Sequence, residues 1–304
     1  MNKKYLFIVV GPTAIGKTAL GISLAKAFKT EIISADSRQF YKEMRIGTAV
    51  PSEAELKEAP HHFIRHISVE EEYSVGDFER DALQKLKQIF KDHDTAVMVG
   101  GSGLYIDAVV KGLDDFPEVD PEIRAALNEN LKTSGIESLQ EELRILDSAY
   151  FSEVDIQNPH RLIRALEICK GTGKTYSSFR KKHAKNRFFE PVYIGLTAER
   201  ELVYDRINQR VDLMMQEGLL DEAKNLYPKR QLNALNTVGY KELFDYLEGE
   251  WDLETAVAEI KKNTRRFAKR QFTWFRKNEQ INWFDISTSH EEIIAFAKNR
   301  ISNS

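Results

Sequence analysis

The sequence predicts an α/β protein: a parallel sheet flanked by helices and interrupted by an all-helical insertion. Three observations carry this. Short β-branched apolar runs alternate with longer helical patterns, the order that builds a parallel sheet. The first run ends in a glycine loop that opens directly into a helix. From Pro121 to about Lys185 the pattern is helical and charged, with no convincing strand, and strands resume at Val192–Leu196.

The first strand, Leu6 to Val10, stops at Gly11. Gly11, Pro12, Thr13, Ala14, Ile15, Gly16, Lys17 and Thr18 then spell G-x-x-x-x-G-K-[ST], the phosphate-binding loop. Its glycines let backbone amides turn inward around a phosphate. The following helix, TALGISLAKAF, aims its positive N-terminus at the same anion. Lys17 adds a full charge, and the Thr18 hydroxyl is placed for Mg²⁺. The loop grips a di- or triphosphate, as in nucleotide- and ATP-binding proteins, and marks the core as a phosphate-loop, nucleoside-kinase-like sheet.

EIISADS supplies a second strand, Glu31 to Ser34, ending at Asp36. SRQFYKEMRIGTAVPS has loop and short-helix character, and APHHFIRHISVEEEYSVGDF is mixed. DFERDALQKLKQIFKD is an amphipathic helix with Phe78, Ala82, Leu83, Leu86, Ile89 and Phe90 on one face. TAVMVGGSGLY is strand, glycine turn and helix start. Pro117 and Pro121 mark a boundary. The expected division is a catalytic core of residues 1–116 and 190–304 with C-terminal helices, and an inserted helical subdomain, 117–189. INWFDIS is the last strand. Ligands of such sheets sit at the C-terminal strand ends, so Gly11–Thr18, Asp36–Gln39 and Gly100–Tyr105 are expected to converge. GTGKT at 171–175 is a decoy: Ile168 stands where a second phosphate loop needs glycine, and the stretch reads as a helix stop.

Composition sets limits. The chain has 304 residues, 42% hydrophobic and 30% charged, an ordinary globular balance. No stretch approaches the roughly 18 apolar residues of a membrane helix. The N-terminal run reads as a strand, not a leader. Cys169 is the only cysteine, which excludes an internal disulfide and a cysteine metal site. A reducing cytoplasm fits. Net charge is −3, but its distribution is uneven. His160–Arg187 holds nine Lys/Arg and one acid, Glu167, while Lys261–Lys277 holds eight Lys/Arg and no acid. The second segment interleaves Phe267, Phe272, Trp274 and Phe275. Cations hold phosphates and aromatics stack on unpaired bases, so these segments suggest a polyanion contact; two solvated helix faces are the alternative.

Several residues carry chemistry. Asp36, at a strand end beside the loop, suits a base that takes a proton from a bound nucleophile; it reads equally as a turn or N-cap aspartate. Ser37, Arg38 and Gln39 add a hydroxyl, a guanidinium and an amide, a set for base edges and phosphate. Gly100, Gly101, Ser102 and Gly103 resemble an anion nest or a tight turn. TAVMV ends without the acid that organises Mg²⁺ in phosphate-loop hydrolases, so the loop suits holding a leaving group. Arg206 and Arg210 share a helix face and suit a diphosphate clamp, or form an exposed face with Asp205 and Asp212. His61 and His62 lack metal-ligand spacing.

Taken together, these residues resemble the tRNA dimethylallyltransferase (tRNA isopentenyltransferase) family. The matching pieces are GPTAIGKT at 11–18, DSRQFY at 36–41, PHHFI at 60–64, GGSGLY at 100–105 and NPHRLIRALE at 158–167. RVDLMMQEGLLDE at 210–222, TVGYKE at 237–242 and AKRQFTWFRK at 268–277 complete the order. The resemblance implies Mg²⁺-assisted transfer of a prenyl group from dimethylallyl diphosphate to N6 of an adenosine. That adenosine lies 3′ of the anticodon in tRNAs reading codons that begin with U. It also implies roles. Asp36 deprotonates N6, Thr13, Lys17 and Arg210 serve the diphosphate, Thr18 meets the metal, and Ser102 touches the flipped nucleotide or the diphosphate. Asp36, Ser37, Arg38, Gln39, Ser102, Arg124, His160, Arg161, Leu162, Ile163 and Arg164 are then the tRNA contacts, with the insertion closing over the anticodon stem-loop. The expected protein is a cytoplasmic monomer. Departures are Ser102 in place of the family's usual threonine, Ile15 at a free loop position, and Arg65 where an acid is expected. The rivals are a prenyltransferase of free adenine nucleotides, a nucleoside or nucleotide kinase, and a non-catalytic nucleotide-gated RNA-binding module.

Overall fold

The structure, a computed structural model, describes residues 3–180 and 185–302. Strand β1 (Tyr5–Val10) is buried throughout and runs into the phosphate loop and α1 (Lys17–Phe28). Strand β2 (Ile32–Ser34) follows, then α2 (Glu53–Glu58) and α3 (Val75–Asp92), each started by a serine capping box. Between these helices lies β3 (His61–His62), a two-residue strand inside the stretch whose pattern was mixed. Strand β4 (Thr95–Val99) leads into α4 (Gly103–Lys111). Helices α5 (Pro121–Ser134), α6 (Ile136–Leu146), α7 (Ser148–Phe151), α8 (Pro159–Thr172) and α9 (Tyr176–Phe179) come next. Strand β5 (Glu190–Thr197), α10 (Arg200–Gln216), α11 (Leu219–Leu226), α12 (Tyr240–Leu247), α13 (Leu253–Phe275), β6 (Asn282–Asp285) and α14 (His290–Ser302) complete the chain.

The six strands form one sheet in the order β3-β2-β4-β1-β5-β6, and every pairing is parallel. Val9 is in register with Val99 and Ile33 with Met98, so β1, β2 and β4 end together. Side chains of β1 alternate between two cores, as the strand period requires. Leu6, Ile8 and Val10 join the core with α3, α4, α12 and α13 residues, while Tyr5, Phe7 and Val9 join the one with α1, α10 and α14. The apolar face read from the α3 sequence is buried there, with Leu83 partly covered.

The chain divides into two compact units, residues 1–111 with 186–304, and residues 112–185. The second is all helical and has its own core of Leu127, Leu139, Leu143, Leu162, Ile163, Ala165 and Leu166. Within it the buried Glu167 carboxylate accepts two bonds from Arg124, at 3.1 and 2.8 Å, and one from Arg164 at 3.1 Å. Burial opposes ionisation of Glu167, yet these two guanidiniums hold its pKa below the ordinary value. Helix α8 ends at Gly173 in the left-handed conformation, so GTGKT is a helix stop. Lys181 and Lys182 of the first basic segment lie outside the described residues.

Helix α6 offers a paired test of this core. Leu143 is fully buried and Ile145 is 70% exposed. Leu143→Ala is expected to cost about 2–5 kcal/mol in urea unfolding, and Ile145→Ala no more than about 0.5 kcal/mol.

Candidate active site

Parallel pairing puts three loops on one sheet edge, and hydrogen bonds fix them there. Ala35 N donates to Val99 O at 2.7 Å, and Gly100 N to Val9 O at 3.2 Å. Ser102 N donates to Ala35 O at 3.3 Å, and Ser37 N to Ser102 Oγ at 3.0 Å. Loops 11–18, 36–39 and 100–103 thus converge as the sequence implied.

Two cavities open on this edge. One, of about 670 Å³, is lined by residues 13–19 of the phosphate loop and helix start, with Asp36, Arg210 and Glu217. The other, of about 740 Å³, is lined by Ser37, Ser102, Tyr105, Asn263, Phe267 and Trp274 among others. Six residues line both: Thr13, Asp36, Thr48, Ala49, Arg210 and Met214. The two cavities therefore meet at a hydroxyl, a carboxylate and a guanidinium.

The phosphate cavity is built for an anion. Helix α1 begins after Gly16, whose φ of 101° lies in the left-handed region, and no side chain caps its first amides. Those orphan donors and the helix dipole favour phosphate. Ala14 is also left-handed, with φ of 64°, an uncommon conformation for a residue with a Cβ. Lys17 Nζ donates to Pro12 O at 2.7 Å, and Thr18 lines the same cavity. Ile15 is not a free position: it is buried in the core with β1 and α1 residues.

Charges here are desolvated. Burial pushes the Lys17 pKa down to about 8; Asp36 pulls it back up, and Arg210 adds to the fall. Burial raises Asp36 above its ordinary value, against the Arg38 amide and the cations Lys17, Arg38 and Arg210. Arg210 is lowered by burial, with Asp36 opposing. One Asp36 oxygen accepts Arg38 N at 3.1 Å, so the turn role and the cavity position coexist.

The structure spends Arg38 and Gln39 differently from the tRNA contacts expected of them. Arg38 donates to Asn233 O at 3.2 Å and Ala234 O at 2.9 Å. Gln39 donates to Thr48 O at 3.2 Å and Ala49 O at 2.9 Å. Gln39 thereby holds a wall shared by both cavities, and Arg38 ties the turn to the 233–234 segment. Ser102 keeps its hydroxyl at the second cavity, donating to Ser37 Oγ at 3.1 Å. The 100–103 turn is a tight turn and not an anion nest, since none of its residues is left-handed.

Arg210 reaches the site and donates to Thr13 Oγ1 at 3.4 Å, whereas Arg206 is exposed, so the pair forms no clamp. Leu162 and Ile163 are core residues of the helical unit, which removes their side chains from any RNA contact. Arg124 and Arg164 are committed to Glu167, leaving His160 and Arg161 exposed on that helix. Helix α13 keeps Arg266, Lys269 and Arg270 exposed, with Phe267 and Trp274 about two-fifths exposed at the second cavity. Arg276 and Lys277 just beyond it are exposed too. Phe275 is buried in the core. His61 and His62 bond Ala59 O at 2.8 Å and Glu31 Oε2 at 2.5 Å, structural roles. No cluster of His, Cys, Asp or Glu suited to a metal occurs among the described residues.

Two residues were not legible as site residues. Glu222 accepts the amides of Arg45 (3.0 Å), Ile46 (2.9 Å) and Gly47 (2.9 Å) and the Tyr240 hydroxyl (2.6 Å), which fixes the loop lining both cavities. Gln271, buried on α13, bonds Thr13 and Gly101. Both lie inside stretches that carry the family resemblance, 210–222 and 268–277, with nothing in the sequence to set them apart as site residues.

The all-parallel sheet and its loop define a phosphate-loop protein whose anion cavity opens into a second, aromatic-walled one. The family model described as IPP transferase matches residues 39–278, and the chain belongs to that family. It is 60% identical to the tRNA dimethylallyltransferase of Christiangramia forsetii over 98% of this chain and 99% of that protein. It is 55% identical to that of Flavobacterium johnsoniae, over 99% of each. Among solved structures it resembles the tRNA isopentenylpyrophosphate transferase of Bacillus halodurans, with TM-score 0.74 and 38% identity over 99% of this chain and 98% of that one. A eukaryotic dimethylallyltransferase acting on tRNA gives TM-score 0.83 and 26% identity over 99% and 80%.

The low Lys17 pKa has a measurable consequence. The charged lysine that favours diphosphate is present below about pH 8 and lost above it. Binding of a diphosphate substrate to the free protein, read as kcat/KM, is expected to fall above about pH 8. That limb should be absent from Lys17→Met, which binds weakly at every pH.

Proposed function

We propose that this protein transfers a dimethylallyl group from dimethylallyl diphosphate to N6 of the adenosine 3′ of the anticodon. Its tRNAs are those reading codons that begin with U, and inorganic diphosphate is released. The observation that carries this reading is the meeting of the two cavities at Thr13, Asp36 and Arg210. A diphosphate seated on the loop directs its prenyl carbon toward the junction. A base extruded from its stack enters by the other cavity. The C1–O bond to diphosphate breaks, and the N6–C1 bond forms. Asp36 takes the N6 proton, and the diphosphate keeps the bonding electron pair. A base with a raised pKa is better matched to neutral pH than an ordinary aspartate.

Charge grows on the departing oxygens as the prenyl group leaves. Loop amides, Lys17 and Arg210 meet that charge in a desolvated cavity, where each is worth more than in water. Mg²⁺ fits as a diphosphate-borne ion: it takes few protein ligands beside phosphate oxygens and water, and Thr18 offers one hydroxyl. When bound, the ion neutralises leaving-group charge. The strand end at Val99 carries no acid to organise an attacking water, consistent with a transferase. The exposed cations of α13 and Phe267 and Trp274 at the cavity rim suit a nucleic-acid strand with one splayed base. A free nucleotide needs no such platform. No helix among the described residues is long and apolar enough to cross a membrane. In this reading the protein works as a cytoplasmic monomer.

The test uses undermodified tRNA, labelled dimethylallyl diphosphate and Mg²⁺. Asp36→Asn is expected to cut turnover by about a hundredfold or more while tRNA binding survives. Near-normal turnover removes Asp36 from the mechanism. RNA affinity should also fall steeply with rising salt; affinity that ignores salt contradicts the cationic platform.

A further inference from the structure

Gln271 is a buried amide whose two ends are both spoken for. Its Oε1 accepts the Thr13 amide at 2.8 Å, and its Nε2 donates to Gly101 O at 3.1 Å. It is 6% exposed. One side chain therefore ties the phosphate loop to the glycine turn after β4, and both to α13. The fit is close on the turn side. A Cβ on Gly101 would lie 2.1 Å from Gln271 Nε2, and one on Gly103 would lie 2.3 Å from the Trp274 ring. Trp274 also donates Nε1 to Asp107 Oδ2 on α4 at 3.1 Å. Phe267, Gln271 and Trp274 recur at helical spacing, so they share one stripe of α13. That stripe faces the second cavity.

Thr13 matters because it lines both cavities and its hydroxyl accepts from Arg210. Its backbone amide is turned away from the phosphate cradle and spent on Gln271. The loop's position at the junction is thus set from outside the loop, by the helix whose exposed face is cationic and aromatic.

We propose that Gln271 is a positioning residue that registers the phosphate loop against the RNA-facing helix. It fixes the separation between the bound diphosphate and the incoming adenosine from the wall of the second cavity, with both ends of its amide bonded to protein groups. The inference rests on the reaction proposed above. Binding of each substrate depends on other groups, and only their mutual placement depends on this amide. A displacement on the order of 1 Å at a reacting pair costs up to about a hundredfold in rate.

The experiment compares wild type with Gln271→Met, similar in length but without either bond, and Gln271→Glu. Gln271→Met is expected to lower kcat roughly 10- to 100-fold, with affinities for inorganic pyrophosphate and for the anticodon stem-loop unchanged. A protonated glutamic acid offers one donor and one acceptor, as the amide does, while a carboxylate offers acceptors only. The Gln271→Glu to wild-type kcat ratio should therefore rise as pH falls. A role in packing alone predicts that Gln271→Met, close in volume, keeps the wild-type kcat and a protected Thr13 amide. Hydrogen exchange of the Thr13 amide, which needs no activity, should speed up by about tenfold or more in Gln271→Met. Unchanged kcat with Thr13 still protected overturns the proposal. So does a fall in both affinities together with a loss of folded protein. A wild type that prenylates no RNA refutes the reaction, and the Thr13 exchange then still decides the lock.

Discussion

The turn that follows β2 holds the site together through hydrogen bonds made by four consecutive residues. Asp36 closes the turn on the Arg38 amide. Ser37 reaches the Ser102 hydroxyl, Arg38 the carbonyls at 233–234, and Gln39 those at 48–49. Each bond alone contributes roughly 0.5–1.5 kcal/mol, but a half-satisfied buried network costs more than it gains. Removing the Arg38 fork would untie the turn from the 233–234 segment and take the Arg38 donor from Ala234 O, while Asn233 O keeps the Asn236 amide at 3.2 Å. Glu222 holds the preceding residues of the loop that Gln39 bonds, gathering three successive amides and a tyrosine hydroxyl. The cavity shape is thus set by polar bonds between segments far apart in sequence, and the apolar cores beneath supply the rigid sheet.

This construction explains the electrostatics. Lys17, Asp36 and Arg210 sit half-buried in the cavity lining, and partial desolvation is the first cause of each pKa shift. Two cations and one carboxylate leave the junction positive overall while Lys17 is charged. A diphosphate reverses that balance and draws Lys17 back toward its ordinary pKa. The arrangement favours the state in which negative charge has collected on the leaving group, which is the state a prenyl transfer must stabilise.

Much of the fold was legible because it follows from local pattern. The loop spelled its own function, β1 is apolar at every position, and α3 shows one clean face. The helical unit showed as a loss of strand texture, with bounds of 112–185 in the structure against 117–189 from the sequence. Strand β3 escaped because two histidines carry no strand signal; pairing with β2 alone makes it one. The site was legible where a residue acts through its own chemistry, as Asp36 and Lys17 do. It was not legible where a residue acts through a distant partner. Arg38, Gln39, Glu222 and Gln271 bond to carbonyls and amides that no sequence spacing reveals. Charge counting also misled: Lys170, Arg180 and Lys185 carry positive charge in the sequence but pair with Glu142, Glu153 and Asp115 in the fold.

The central claim is that a diphosphate and an RNA adenosine meet at Asp36 from two cavities. A competition assay addresses it most directly. Wild-type protein is offered labelled dimethylallyl diphosphate and Mg²⁺ with undermodified tRNA and free AMP together, and each product is mapped by mass spectrometry. The expected result is label at N6 of the adenosine 3′ of the anticodon and none in AMP. Label in AMP alone, or none in either acceptor while phosphate moves from ATP, contradicts it.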